Sequence, residues 1–339
     1  MKKLHLIGLA IAVAALYFTF RNISYSQLKG ALASAEYIYL IPAWLIVVSS
    51  YLLRALRWKY LIKPIKNVST VSLLSPLMIG FMGNLLPARA GEFIRAYVLG
   101  KKIGIGFSSS FGTVFIERIF DLVILLLLVV WMVLFKSDLF ASITILNTVS
   151  LQSVMSKFGW ITLGAVLGLI LFCYLLLHAR EKVMHWIQFL TRPFPDGFRL
   201  KVHELIHSFV EGLHILKDAS SLIIVFFLSV LVWASIILSY YPFYYSFGIQ
   251  SLPFSSLTIM VVITSIFITV FPSPGYLGSF QLACVVALYN IYGVPEPVAV
   301  SFGILTWFIM MLVVALWGSF CIMKGLSISE LKNRSEESV

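Results

Sequence analysis

Six apolar stretches, residues 4–20, 37–53, 107–135, 160–177, 221–247 and 298–322, are each long enough to cross a lipid bilayer. A helix rises about 1.5 Å per residue, so a crossing takes about 20 residues and a thin one about 17. Backbone in hydrocarbon must satisfy its own hydrogen bonds, and unbroken apolar runs of this length do so as helices. The chain is 60% hydrophobic and 12% charged, and its longest polar block, residues 180–220, leaves no room for a soluble catalytic domain. The expected fold is an all-α polytopic membrane protein. A formal charge of +11 then means basic loops beside anionic headgroups, with no nucleic acid partner.

Lys and Arg set an orientation. They gather at Lys2 and Lys3, through 54–66, at Lys101 and Lys102, through 180–217 and in the C-terminal tail, whereas Arg21, Lys29, Lys136 and Lys157 stand on the other side. The positive-inside rule puts both termini in the cytoplasm. The run 4–20 after two lysines imitates a signal peptide. The small-residue pairs among Ala31, Ala33 and Ala35 lie too far beyond it for cleavage, so an uncleaved first span is expected.

Two further apolar segments do not cross in this orientation. Residues 68–86 lead into 83–102, and a full crossing would put Lys101 and Lys102 outside. A re-entrant hairpin with 87–92 at its tip keeps them inside. Residues 257–271 and 279–290, the latter too short to cross, make a second hairpin from the opposite side. Non-helical backbone at that depth must be covered by protein or line a water-filled cavity. The order span, span, hairpin, span fills 1–135 and recurs inverted in 160–325. Between the repeats lies an outer segment, 136–159. The second carries a cytoplasmic amphipathic insert, 180–220, and ends in a tail, 326–339. Inverted repeats with broken helices are a transporter architecture. The expected count is six spans and two hairpins, with eight plain spans as the alternative. Gly164 and Gly168 form a GxxxG expected to pack helices.

The charges inside apolar segments carry the chemistry. Arg89, Glu92 and Arg95 flank the first tip, and Glu117, Arg118 and Asp121 lie about 15–21 Å into span 107–135. Each charge near the bilayer centre costs roughly 2.5–3.5 kcal/mol, so such residues pair or face a wet cavity. Glu117 and Asp121 share a face at i,i+4, and Arg118 reaches Asp121 at i,i+3. Arg89, Arg95 and Arg118, with the helix N-termini released at both tips, suit a phosphate. Three acids balance three arginines, and a purely structural ion-pair lock is the competing reading. No cofactor is expected: Cys173, Cys284 and Cys321 fall at unrelated spacings. His203 and His207 spell HExxH, a weak zinc candidate, but Leu213 stands where a third ligand belongs and His214 comes one residue late.

Four motifs occur in order: Arg54, Arg57 and Trp58; Asn84, Pro87, Arg89, Gly91, Glu92 and Arg95; Glu117, Arg118 and Asp121; Pro272, Pro274, Gly275 and Gly278. Over roughly residues 5–325 the chain resembles the lysylphosphatidylglycerol synthase transmembrane family, the flippase-like UPF0104 domain also found attached to some glycosyltransferases. The resemblance implies lipid translocation across a prokaryotic cytoplasmic membrane. It also implies a lipid path formed by Arg54, Arg57, Asn84, Arg89, Glu92, Arg95, Glu117, Arg118, Asp121 and the 272–278 loop. The family's second hairpin usually continues Gly-Gly-Leu-Gly and ends in Glu; here Tyr276 and Gln281 stand instead, which puts proton coupling there in doubt. With the aminoacyl-transfer domain absent, the chain is not expected to make lysylphosphatidylglycerol.

The expected function is a flippase or scramblase for an anionic phospholipid or a polyprenyl-phosphate-linked lipid. Membrane lipids are its substrate, a separate lipid-modifying or glycosyltransferase enzyme its partner, and an oligomer its possible state. The rivals are a membrane enzyme, either an HExxH zinc peptidase or a lipid-phosphate transferase, and a scaffold whose buried charges are structural.

Overall fold

The computed structural model describes residues 2–85, 90–140, 144–145, 149–178, 204–206, 208–210 and 212–324. Pro87, Arg89, His203, His207, most of the 180–220 insert and the tail beyond Lys324 lie outside the described residues. In order come α1 (Lys2–Phe20), α2 (Tyr25–Ala33), α3 (Leu40–Ile62), α4 (Thr70–Gly83), α5 (Gly91–Ile103) and α6 (Phe107–Lys136). After the short antiparallel strands β1 (Thr144–Ile145) and β2 (Val149–Ser150) come α7 (Leu151–His178), α8 (Ala219–Ser239), α9 (Tyr241–Ser246), α10 (Ser255–Val270), α11 (Ser279–Val285) and α12 (Glu296–Met323). The protein is an all-α polytopic membrane protein. Among the described residues, five stretches are long and apolar enough to cross a bilayer: Tyr37–Ile62, Phe107–Leu139, Leu151–Leu176, Ala219–Ser246 and Glu296–Met323. The first expected span is also helical, at 19 residues and about 28 Å. Large apolar side chains such as Leu127, Phe135, Trp160, Ile223 and Phe227 point outward, as a lipid-facing surface requires.

One expectation fails at the second span. Residues 54–66, read as a basic loop, are helical as far as Ile62. The buried stripe explains it: Val47, Tyr51, Ala55, Trp58, Leu61 and Ile62 recur three or four apart, so the apolar face continues past the first arginine. Arg57 lies on that face and is wholly buried. A second expectation fails on α7, which begins nine residues before the expected 160. Among the described residues, nothing comes within 4 Å of a Cβ built on Gly164 or Gly168, so their GxxxG joins no helix pair there.

Both short hairpins are present. The helices of the first are 14 and 13 residues long and pack along each other. Its base is tied at one end: the Lys66 ammonium donates to the Ile103 carbonyl (2.5 Å), and Lys102 donates to the Ser72 carbonyl and the Ser75 hydroxyl (both 2.8 Å). Contact between the two helices is close because Gly80 meets Gly91. A Cβ on Gly91 would lie 2.2 Å from the Gly80 carbonyl oxygen. The second hairpin pairs α10 with α11 and a π-helical turn, Val286–Ile291, and Tyr292 lies beside Ser255 at its base. The tips meet: a Cβ on Gly275 would sit 3.5 Å from the Leu85 side chain. Around the second hairpin the buried residues include hydroxyls and Gln281 but, among the described residues, no charged side chain, with Phe267, Phe280, Cys284 and Phe302 buried together.

Where the chain re-enters α8, Asp218 is the N-cap. Its carboxylate accepts from the backbone N–H of Ser220 (3.1 Å) and Ser221 (3.3 Å) and from both hydroxyls (2.7 and 2.6 Å). These bonds to the ionised form, the Ser221 hydroxyl first, hold the carboxyl down at about 2 from an ordinary 3.8. A depressed carboxyl stabilises the fold above its unfolded value and ceases to do so as pH falls through its folded one. Asp218→Ala is therefore expected to lower the melting temperature at neutral pH. Melting curves of the two proteins should converge as pH falls from about 4 toward about 2.

Candidate functional site

Four helices bring the ionisable residues together. Arg57 and Trp58 come from α3, Glu92 and Arg95 from the first turns of α5, Glu117, Arg118 and Asp121 from α6, and Ser229 and Trp233 from α8. Spacings of three and four put the members from α5, α6 and α8 on one face of each helix, while Arg57 and Trp58 are adjacent on the buried side of α3. Glu117 is the hub. It contacts Arg57 (2.9 Å), Arg95 through both guanidinium Nη atoms, one at 3.1 Å, and Arg118 (2.6 Å). Asp121 receives Arg57 at 2.6 and 3.3 Å, Arg118 at 3.0 Å and the Trp233 indole N–H at 3.4 Å. Arg57 also donates to the Ser229 hydroxyl (3.0 Å), which ties α3 to α8.

Trp58 braces this arrangement. The Arg95 guanidinium lies 4.1 Å from the centre of its ring, and its indole N–H donates to Thr113 (2.9 Å). A cation over an indole face is stabilised by the ring quadrupole, and Arg can do this while its edge still binds a carboxylate. Arg57, Arg95 and Arg118 balance Glu92, Glu117 and Asp121, so the cluster carries no net charge of its own. That balance lets six ionisable groups sit among apolar helices.

Exposure is graded across the cluster. The side chains of Arg57 and Glu117 are 0% exposed, whereas Arg118 is 34% and its partner Glu92 40%. The accessible edge of the network is thus one arginine and one carboxylate. Half-buried Arg54 lies one turn before Arg57, within electrostatic reach of Asp121, Arg57, Arg118 and Glu117. Its guanidinium packs 5.4 Å from the Phe81 ring, and no carboxylate among the described residues comes within ion-pair distance. Tyr51, beside Arg54, is also in electrostatic reach of Tyr276 on the second tip.

The tips differ from what the sequence implies. An open helix N-terminus should offer free N–H groups to an anion, but the leading amides are taken. Gly91 N–H donates to the Asn84 side-chain oxygen (3.1 Å), and Gly278 N–H donates to the Gln281 side-chain oxygen (2.7 Å). Asn84 and Gln281 are therefore caps. In the second tip the Trp307 indole N–H donates to the Gly275 carbonyl (2.7 Å), and Ser273 and Ser279 join hydroxyls at 2.9 Å. Gly278 needs its φ of +83°, and a Cβ there would lie 2.7 Å from the Ala12 carbonyl. Pro272 and Pro274 pack this tip against Gly8 of α1. The 272–278 loop contributes no charge to the cluster.

Charge and spacing single out Glu92, Arg95, Glu117, Arg118 and Asp121, and these do converge. The positive-inside rule places Arg57 in a loop, and only the resemblance includes it in the site. The apolar period running on to Ile62 was the available signal. Among the described residues no group of three His, Cys, Asp or Glu side chains could hold a metal, and His203 and His207 fall outside them.

Residues 5–318 match the family described as the lysylphosphatidylglycerol synthase TM region. The chain is 27% identical to a UPF0104 membrane protein of Methanothermobacter thermautotrophicus over 82% of this chain and 81% of that one. It is 32% identical to the glycosyltransferase AglD of Haloferax volcanii over 34% of this chain. It is 48% identical to a UPF0104 membrane protein of Methanocaldococcus jannaschii over 17% of this chain. These last two matches span only 19% and 26% of the relatives' own lengths. No solved structure matches significantly. With the match running through every described helix, the chain belongs to the lysylphosphatidylglycerol synthase TM-region family.

Proposed function

We propose that this protein translocates an anionic lipid, a phospholipid or a polyprenyl-phosphate-linked one, across a prokaryotic cytoplasmic membrane with both termini inside. The observation that carries this reading is the graded ionic cluster: sealed at Arg57 and Glu117, accessible at Arg118, and set beside Arg54. A guanidinium edge is a strong ligand for phosphate oxygens, and two such edges around Asp121 give an anion a route past the apolar interior while its tails stay in lipid. Two short hairpins meeting at their tips support movement of one half of the bundle against the other. AglD is a glycosyltransferase by name, which favours a separate lipid-glycosylating enzyme as the partner.

The test is headgroup movement in proteoliposomes holding a fluorescent phosphatidylglycerol. Wild type should make outer- and inner-leaflet probe interchange, and Arg118→Gln should slow it at least tenfold while its melting temperature stays close to wild type. Equal rates would remove Arg118 from the path.

A further inference from the structure

We propose that Glu92 is a resident competitor for the anion site on Arg118: a lipid phosphate takes its place and so unlatches α5 from α6. The inference rests on the anionic-lipid reading and assigns a regulatory role within it. Two ionic contacts join α5 to α6. One, Arg95 with Glu117, is sealed, bidentate and braced by Trp58. The other, Glu92 with Arg118, is different in kind. It spans 3.3 Å to Nε with both partners more than a third exposed, and Arg118 Nε has no aligned hydrogen bond. On the other side of the same guanidinium, Nη2 is held by Glu117 at 2.6 Å and Asp121 at 3.0 Å. Arg118 is thus anchored by one edge and loosely covered on the other. That Nε is closed to solvent while Glu92 covers it, so a phosphate oxygen reaches it only by taking the place of Glu92.

Exchange is inexpensive on both counts that matter. An exposed ion pair is worth at most about a fivefold bias, so a carboxylate so placed is readily displaced. Charge is also accommodated. With Glu92 gone, Arg54, Arg57, Arg95 and Arg118 face only Glu117 and Asp121 among the described residues, and the anion restores what Glu92 withdrew. Glu92 lies in the first turn of α5, directly after the break between α4 and α5, so its release acts on the tip of the first hairpin. Phe93 beside it stacks on Phe111 of α6 at 5.1 Å and is exposed, a contact that can slide.

The experiment reconstitutes the full chain in nanodiscs of phosphatidylcholine, with or without phosphatidic acid. It reads phosphatidic acid retained per protein and amide exchange over residues 91–103. Phosphatidic acid should speed exchange over 91–103 in wild type. Glu92→Gln should retain about fivefold more phosphatidic acid and exchange fast with or without it. Arg118→Gln should abolish the retention difference. A merely structural Glu92 would loosen α5 without gaining lipid, which overturns the proposal. If wild type retains phosphatidic acid but Glu92→Gln retains no more, the latch alone falls. Were wild type to retain no phosphatidic acid above background, the anionic-lipid reading would fall with it.

Discussion

Glu117→Ala should lower the stability of the protein by about 3–5 kcal/mol, the largest effect of any single replacement at the site. Its carboxylate is wholly buried and faces three guanidiniums, two of which, Arg57 and Arg95, have side chains no more than 4% exposed. Removing it leaves those cations in an apolar bundle with the Nε atoms of both already lacking a hydrogen-bond partner. Asp121 cannot compensate, since it is already shared between Arg57 and Arg118. Thermal unfolding in detergent, with recovery of monodisperse protein, reads the effect. A melting temperature within a degree of wild type would mean that Glu117 is not the hub described. A buried ion pair adds little stability over well-packed hydrocarbon, so the cluster's presence argues for use or for specificity of fold.

Gly91→Ala should be nearly as damaging for a steric reason. The new Cβ would meet the Gly80 carbonyl oxygen at 2.2 Å and the Asn84 side-chain oxygen at 2.3 Å, closer than real contacts come. The first obstacle is backbone, so α4 and α5 must part, carrying Glu92 and Arg95 away from α6. Overpacking of this kind costs about 1–3 kcal/mol, and here it also dismantles the accessible edge of the site. Lipid movement should therefore fall further than the melting temperature suggests. Gly164→Ala is the matched control: it is exposed, nothing lies within 4 Å, and the change should be neutral or slightly stabilising. Equal behaviour of the two variants would contradict the close approach of α4 and α5.

Much of this architecture is legible without coordinates because lipid imposes simple rules. Apolar length marked the helices, and the lysines at 101 and 102 implied a hairpin, which the Lys66 and Lys102 bonds close at its base. Charge spacing on α6 anticipated Glu117, Arg118 and Asp121 on one face. What the sequence could not convey was tertiary. Arginine after an apolar run reads as a loop by the positive-inside rule, yet carboxylates on another helix hold Arg57 inside the bundle. Likewise a broken helix reads as an open anion cradle until Asn84 and Gln281 are seen on the leading amides. Both misreadings come from partners distant in sequence or from a side chain's choice of acceptor, which local pattern does not encode.

The central claim is that a bilayer containing this protein lets an anionic headgroup pass. The most direct measurement is leaflet exchange by wild-type protein in phosphatidylcholine vesicles, with fluorescent phosphatidylglycerol and fluorescent phosphatidylcholine compared side by side. Faster exchange of the anionic probe, weakened when Arg54 and Arg118 are both changed to Gln, is the expected result. Exchange of the anionic probe no faster than in protein-free vesicles would contradict the account.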